Sequence, residues 1–166
     1  DHLFNGKKKY YSELSNPEPL NYYAKTKTKS EQIIKSKLEK YLIIRGNFYG
    51  WGTSYRKSFS DWIYETLSNS MKINLFTDIF FTPLYIRDFI NIVFKLIQKK
   101  KNGIYNVSGS ERISKYNFGI KLASEFNLNK KLIKKIKINK LNLVKRPNDM
   151  SLSSKKLFKT LNIDKD

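Results

Sequence analysis

Tyr23 and Lys27 are the side chains of this sequence whose types and spacing most directly suggest chemistry. Four residues apart at the start of a helical pattern, they fall on one face about one turn apart. A phenol beside an ammonium is a proton-transfer pair. A free phenol titrates near about 10, and a cation within about 4–6 Å favours the phenolate, which brings such a group closer to the range useful for general acid/base work. Spacing alone carries no information, because 11 tyrosines and 28 lysines among 166 residues give about two such pairs by chance. The order of the surrounding segments carries more. Asp1-His2-Leu3-Phe4 reads as the end of a strand, and a polar loop with Lys7-Lys8-Lys9 and two prolines follows over 5–20. Pro19-Leu20-Asn21 opens the Tyr/Lys helix, and the apolar Tyr41-Leu42-Ile43-Ile44 runs into Arg45-Gly46-Asn47-Phe48-Tyr49-Gly50.

The elements that must position these residues alternate along the chain. Hydrophobic periodicity and caps predict helices over 21–39, 58–69, 87–100 and 114–126, with Ser58 or Ser60 and then Ser114 as caps, and a last short helix from Ser153 or Ser154. In the first helix Ile33, Ile34 and Leu38 are the apolar residues of the second half. Phe59, Trp62, Ile63, Tyr64 and Leu67 form the stripe of the second helix, and Phe89, Ile90, Val93, Phe94 and Ile97 that of the third. Strands are predicted over 41–46, 72–76 and 104–107. Residues 132–138 alternate Ile and Lys as an edge strand whose lysines discourage unwanted pairing. Thr82-Pro83 reads as a turn. Strands alternating with helices define an α/β class, and no clean linker divides the chain.

Composition excludes several functions. Without cysteine there are no disulfides or thiolate metal sites, and a single histidine, His2, rules out a His-based zinc cluster; it reads as structural. No apolar run is long enough to span a bilayer. The formal charge of +19 comes from 28 lysines against 5 arginines, spread over many segments. Base and phosphate recognition favours arginine forks, so the lysines read as solvated faces that stick to polyanions without specificity and attract an anionic substrate. No specific nucleic-acid partner and no membrane partner is expected.

With these pieces in order, the chain resembles the later part of an extended short-chain dehydrogenase/reductase, closest to the dTDP-4-dehydrorhamnose reductases and related nucleotide-sugar reductases. The residues that carry the resemblance are Asp1 to Gly6, Asn21 to Lys27 with Glu31, and Arg45 to Gly50. Phe81-Thr82-Pro83, Gly103 to Gly109, and Arg146-Pro147 with Leu152 and Lys156 complete it. The resemblance implies the later part of a Rossmann-like doubly wound parallel sheet, finished by residues 1 to about 45, plus a smaller substrate-binding lobe. The seven glycines never form Gly-x-Gly-x-x-Gly. The expectation is therefore that 1–166 is a fragment of one NAD(P)-binding and substrate-binding reductase domain. Its N-terminal Rossmann half, with the glycine-rich loop and a Ser-Thr pair abutting Asp1, would lie upstream, leaving the fragment itself inactive and with an uncovered sheet edge.

By the same resemblance the activity is NAD(P)H-dependent reduction of a 4-keto nucleotide sugar in deoxysugar and cell-surface polysaccharide biosynthesis, in the cytoplasm. Tyr23 would protonate the carbonyl oxygen. Lys27 would hold the nicotinamide ribose of NADP(H) or NAD(H) and bias Tyr23. Asn47, at a strand end where open α/β sheets bind ligands, is a substrate or cofactor contact or else an ordinary turn residue. Arg56, Thr82 and Arg146 are candidate substrate contacts with structural roles as the competing reading, and Phe48, Trp51 and Phe81 read as core packing before stacking on a sugar or base. The nucleotide sugar is the expected partner, with a homodimer left open. Two alternatives stand beside this one. One is a non-catalytic NADP-binding regulatory subunit of the same fold, against which retention of Tyr23 and Lys27 argues. The other is a sibling sugar-nucleotide epimerase or dehydratase, although Asp1-His2 lacks the Asp-Glu pair of the dehydratases.

Overall fold

The structure is a computed structural model that describes residues 2–140 and 144–163. In chain order its helices and strands are α1 (Tyr22–Lys37), β1 (Leu42–Gly46), β2 (Phe48–Tyr49), α2 (Phe59–Ser68), β3 (Ile73–Phe76), β4 (Phe80–Phe81), β5 (Leu84–Tyr85), α3 (Ile86–Gln98), β6 (Gly103–Val107), β7 (Ile113–Ser114), α4 (Lys115–Glu125), β8 (Ile133–Ile136) and α5 (Lys155–Leu161). Side chains set several of the helix starts. Asn21 accepts from the Ala24 amide at 2.9 Å to open α1, and Ser58 and Asp61 form a reciprocal capping box on α2. Ser114 accepts from the Asn117 amide at 3.0 Å to open α4. Asn162 closes α5 in the left-handed conformation at φ 52°, which its short polar side chain tolerates.

The strands pair two by two. β1 and β6 run parallel, with Leu42 opposite Gly103 and Gly46 opposite Val107; β2–β5 and β3–β8 are also parallel, while β4–β7 is antiparallel. Parallel neighbours need a crossover, and helices supply it. Between β3 and β8 the chain passes through α4, which packs Phe118, Leu122 and Ala123 on Leu75 and Ile133 in the largest core cluster together with Ile63 and Leu67 of α2. Gly119 permits that approach, since a Cβ there would lie 2.2 Å from Leu75 Cδ1. A second cluster joins Leu96 of α3, Tyr105 and Val107 of β6, and Leu157 of α5. A third, Leu3, Phe4, Tyr11 and Leu152, ties the N-terminal loop to the C-terminal segment.

The α/β alternation of the sequence is present, but several expectations change. His2–Phe4 form a turn and a bend rather than the end of a strand, and Asp1 lies outside the described residues. The Leu3 carbonyl accepts from the Glu18 amide of the loop at 2.8 Å, so its bonding is with that loop instead of a strand ladder. The strand expected over 132–138 shrinks to Ile133–Ile136, between short 3-10 segments at Lys130–Leu132 and Ile138–Lys140. Thr82-Pro83 separates β4 from β5. Apolar periodicity overstates burial. Ile33 of α1 and Leu38 at its C-cap, Trp62 of α2, and Ile90, Phe94 and Ile97 of α3 are exposed, while α1 buries Ala24 and, against expectation for its type, Glu31.

Candidate active site

Tyr23 and Lys27 stand on the first two turns of α1. The Lys27 ammonium lies 5.6 Å from the centroid of the Tyr23 ring, and Tyr23 is 60% exposed. Among the described residues neither the Tyr23 hydroxyl nor the Lys27 ammonium has a hydrogen-bond or ion-pair partner, so both are available to a ligand. His2 meets the Tyr23 ring edge-on with centroids 6.0 Å apart. Burial, with the cations Arg146 and Lys115 adding, holds the His2 imidazole at about 4, so it is neutral at physiological pH.

These side chains border a cavity of about 490 Å³ whose wall also includes Asn47, Phe48, Phe81 and Lys115. Its far side is β1 and the start of α4. A buried clamp joins α1 to β1: Arg45 Nε and Nη2 donate to the two oxygens of Glu31 at 2.8 and 2.6 Å, with Arg45 4% exposed. The guanidinium also lies 5.5 Å from the Phe4 ring centroid. Bidentate pairing fixes orientation as well as distance, so the helix bearing Tyr23 and Lys27 is set against the strand that leads to Asn47. Helical spacing holds the signal for this clamp, since 23, 27 and 31 share one face. The sequence shows Glu31 on that face but not its partner.

Asn47 is 3% exposed. Its Nδ2 donates to the Met150 carbonyl at 2.9 Å and to Thr82 Oγ1 at 3.4 Å, whereas Oδ1 is buried without a partner. One end of this amide is therefore structural, the other is buried without a partner, and the residue borders the cavity. Thr82 is fully buried, accepts from the Leu152 amide at 3.0 Å, and sits behind Asn47 instead of facing the cavity. Arg56 is exposed and closes a small turn with Thr53 away from these residues. Arg146 is also exposed; it borders a separate cavity of about 800 Å³ with Lys7 and Lys145. Phe48 is 57% exposed and packs on Phe89 at the cavity rim. Phe81 is buried. Trp51 instead joins Tyr64 and Phe126 in a surface aromatic group, edge-on to each at 5.5 Å.

Lys115 was not marked by sequence reasoning. It opens α4 with its Nζ 3.3 Å from the Phe81 ring centroid and 4.5 Å from that of Phe59. Burial pulls its ammonium down to about 7. Nothing in the local sequence distinguishes it from 27 other lysines. Among the described residues no His, Cys, Asp or Glu group could hold a metal ion, and no helix is long and apolar enough to cross a membrane.

Helix-linked parallel strands define the class as α/β, and the fold matches that of Rossmann-like reductases. The chain belongs to the RmlD substrate binding domain family, which matches residues 1–165. A hypothetical dTDP-4-dehydrorhamnose reductase from Sulfolobus tokodaii is similar at 30% identity and TM-score 0.84, over 99% of this chain and 57% of that one. The dTDP-4-dehydrorhamnose reductase of Bacillus anthracis, solved in complex with NADP, is similar at 26% identity and TM-score 0.85, over 98% of this chain and 57% of that one. Methionine adenosyltransferase 2 subunit beta of Xenopus tropicalis is 28% identical over 96% of this chain and 50% of its own length. The chain thus spans about half the length of the curated relatives it matches.

Proposed function

We propose that the chain supplies the proton-donating and substrate-side part of an NAD(P)H-dependent reductase acting on a 4-keto nucleotide sugar of the dTDP-4-dehydrorhamnose kind. The observation that carries this reading is the pairing of Tyr23 and Lys27, with free polar ends, on the rim of a cavity whose wall also includes Asn47, an amide with a buried, unpartnered Oδ1. The similarity to dTDP-4-dehydrorhamnose reductases, one of them solved with NADP, supports the substrate and cofactor classes. Residues 1–166 are read as one piece of a single reductase domain.

In this mechanism the nicotinamide, when bound, supplies hydride to the carbonyl carbon. Tyr23 gives its hydroxyl proton to the carbonyl oxygen, which otherwise would carry full negative charge. Lys27 holds ribose hydroxyls and stabilises the phenolate that remains. Asn47 Oδ1 accepts from a sugar or ribose hydroxyl, its amide fixed by Met150 and Thr82. Neutral His2 borders Tyr23 without adding a competing charge. Thr82 acts through Asn47, and Arg56 and Arg146 are left outside this set by their positions.

In the intact protein Tyr23→Phe should lower turnover of a 4-keto nucleotide sugar by about 10²–10⁴-fold, or roughly 3–5 kcal/mol of barrier, while leaving NADPH binding in place. Unchanged NADPH consumption by Tyr23→Phe would show that the proton comes from elsewhere. A second reading, a non-catalytic cofactor-binding subunit of another enzyme, is favoured by the similarity to methionine adenosyltransferase 2 subunit beta. It gains if NADPH binds and no keto sugar is reduced.

A further inference from the structure

Lys115 is a cation of the cavity wall that the proposed reaction leaves without a task. Its three N–H donors meet two aromatic faces, Phe81 at 3.3 Å and Phe59 at 4.5 Å, and among the described residues no hydrogen-bond acceptor or carboxylate. Ring faces stabilise an ammonium but do not neutralise it. Glu31 is the one carboxylate among the residues that line the cavity, and several acids on the elements around Lys115 are engaged elsewhere. Across the cavity Glu31 is taken by Arg45. On α2, Asp61 accepts from the Gly52 and Ser58 amides and Glu65 pairs with Lys57. Beside β4, Asp78 accepts from the Ile138 amide and Asp149 is held by Arg112 and Ser151.

The remaining groups on the wall are Tyr23, Lys27 and His2, and His2 is neutral above about pH 5. The cavity therefore presents Lys27 and Lys115 with no free carboxylate to balance them. A concave, partly dehydrated surface of one sign focuses its field on a ligand of the other. Asn47, a strand-end amide whose Oδ1 is buried without a donor, borders the same cavity.

We propose that Lys115 is an anion-binding residue of this cavity, receiving an anionic oxygen of the nucleotide sugar, either of its diphosphate or of a carboxylate on the sugar. The proposal rests on the reductase reading for its substrate class and adds the residue that selects for charge. Because the empty-site ammonium titrates at about 7 and an anion favours its charged form, binding takes up a proton above neutrality. Affinity then falls as pH rises past 7, approaching tenfold per unit until the value in the complex is reached.

The test is calorimetric binding to the intact protein between pH 6.5 and 8.5, using dTDP-glucose, which has no ketone to reduce and a diphosphate diester that stays ionised throughout. UDP-glucose and UDP-glucuronate serve as a second pair. Lys115→Arg, whose charge does not titrate, should keep the affinity and lose the pH slope. Lys115→Met, which keeps the alkyl packing, should bind about 10-fold more weakly at pH 6.5 and also lose the slope. Dependence on Lys115 with dTDP-glucose assigns the diphosphate; dependence confined to the preference for UDP-glucuronate over UDP-glucose assigns a sugar carboxylate. Equal affinities and equal slopes for wild type, Lys115→Arg and Lys115→Met overturn the proposal while leaving the reductase reading standing. No binding of any of the three nucleotide sugars to the wild type overturns both.

Discussion

Replacing Glu31 with methionine should be the most damaging single change in the site that touches no ligand. In the native protein Glu31 satisfies Nε and Nη2 of a guanidinium that is 4% exposed, while Nη1 is already buried without a partner. Removing the carboxylate leaves all of Arg45 dehydrated and unpaired. Breaking a buried pair from one side costs about 3–5 kcal/mol, against a total stability of about 5–15 kcal/mol for a typical domain. With a urea slope of about 1–3 kcal/mol per molar, the midpoint should fall by about 2 M. Urea titration of the intact protein followed by circular dichroism reads this directly. The double variant Glu31→Met, Arg45→Met should recover most of the loss, because two apolar side chains of similar length need no partner. A single-variant loss below about 1 kcal/mol would refute the reasoning, since it would mean that Arg45 finds water or another acceptor at once.

The imidazole of His2, held at about 4 by burial and the neighbouring cations, should titrate below pH 5 by NMR; a midpoint near 6.5 would refute its placement against Tyr23. Its folded value lies below its unfolded one, so its contribution is present above about 6.5 and is lost as pH falls toward 4, which should appear as acid destabilisation weakened in His2→Phe. Gly109→Ala should destabilise by about 1–3 kcal/mol, because a Cβ there would lie 2.3 Å from the Pro83 carbonyl oxygen, a backbone atom that cannot move aside cheaply. A denaturation midpoint within error of wild type would show that the 82–83 segment yields.

Local rules made the helices legible. Capping residues at Asn21, Ser58 and Ser114 place the starts of α1, α2 and α4 within a residue or two of prediction. Of the parallel strands, β1 was legible as an apolar run and β3 as a short alternation, which its burial pattern keeps, with Ile73 and Leu75 inside and Asn74 exposed. Two-residue strands such as β2, β4, β5 and β7 were not, because their existence depends on partners far along the chain instead of on a pattern of their own. Burial was misjudged where a helix is apolar without being covered, as at Ile90, Phe94 and Ile97. In the site, Tyr23, Lys27 and Asn47 were legible from type, spacing and family resemblance, and the structure brings them to one cavity. Arg56 and Arg146 were chosen because arginine suits a diphosphate, which is a statement about chemistry with no information on place. Lys115 was invisible for the converse reason: its distinction is the aromatic floor assembled from Phe59 and Phe81, one from α2 and one from β4.

The stitch between the N-terminal loop and the C-terminal segment sets a timetable for the ribosome. Tyr10 donates to Ser151 Oγ across 141 residues, and the Tyr11 amide and carbonyl bond to Ser151 and Ser153. Leu3, Phe4 and Tyr11 can thus complete their cluster only when Leu152 has left the exit tunnel. At synthesis rates of about 5–20 residues per second, that segment waits on the order of ten seconds with its apolar side chains unpaired. The segment joining α2, β3, α4 and β8 needs no such delay, because its contacts close within the span from Phe59 to Ile136. During translation this middle portion can condense first, while Leu3, Phe4 and Tyr11, and with them the loop that carries His2 to Tyr23, wait for Leu152 to emerge.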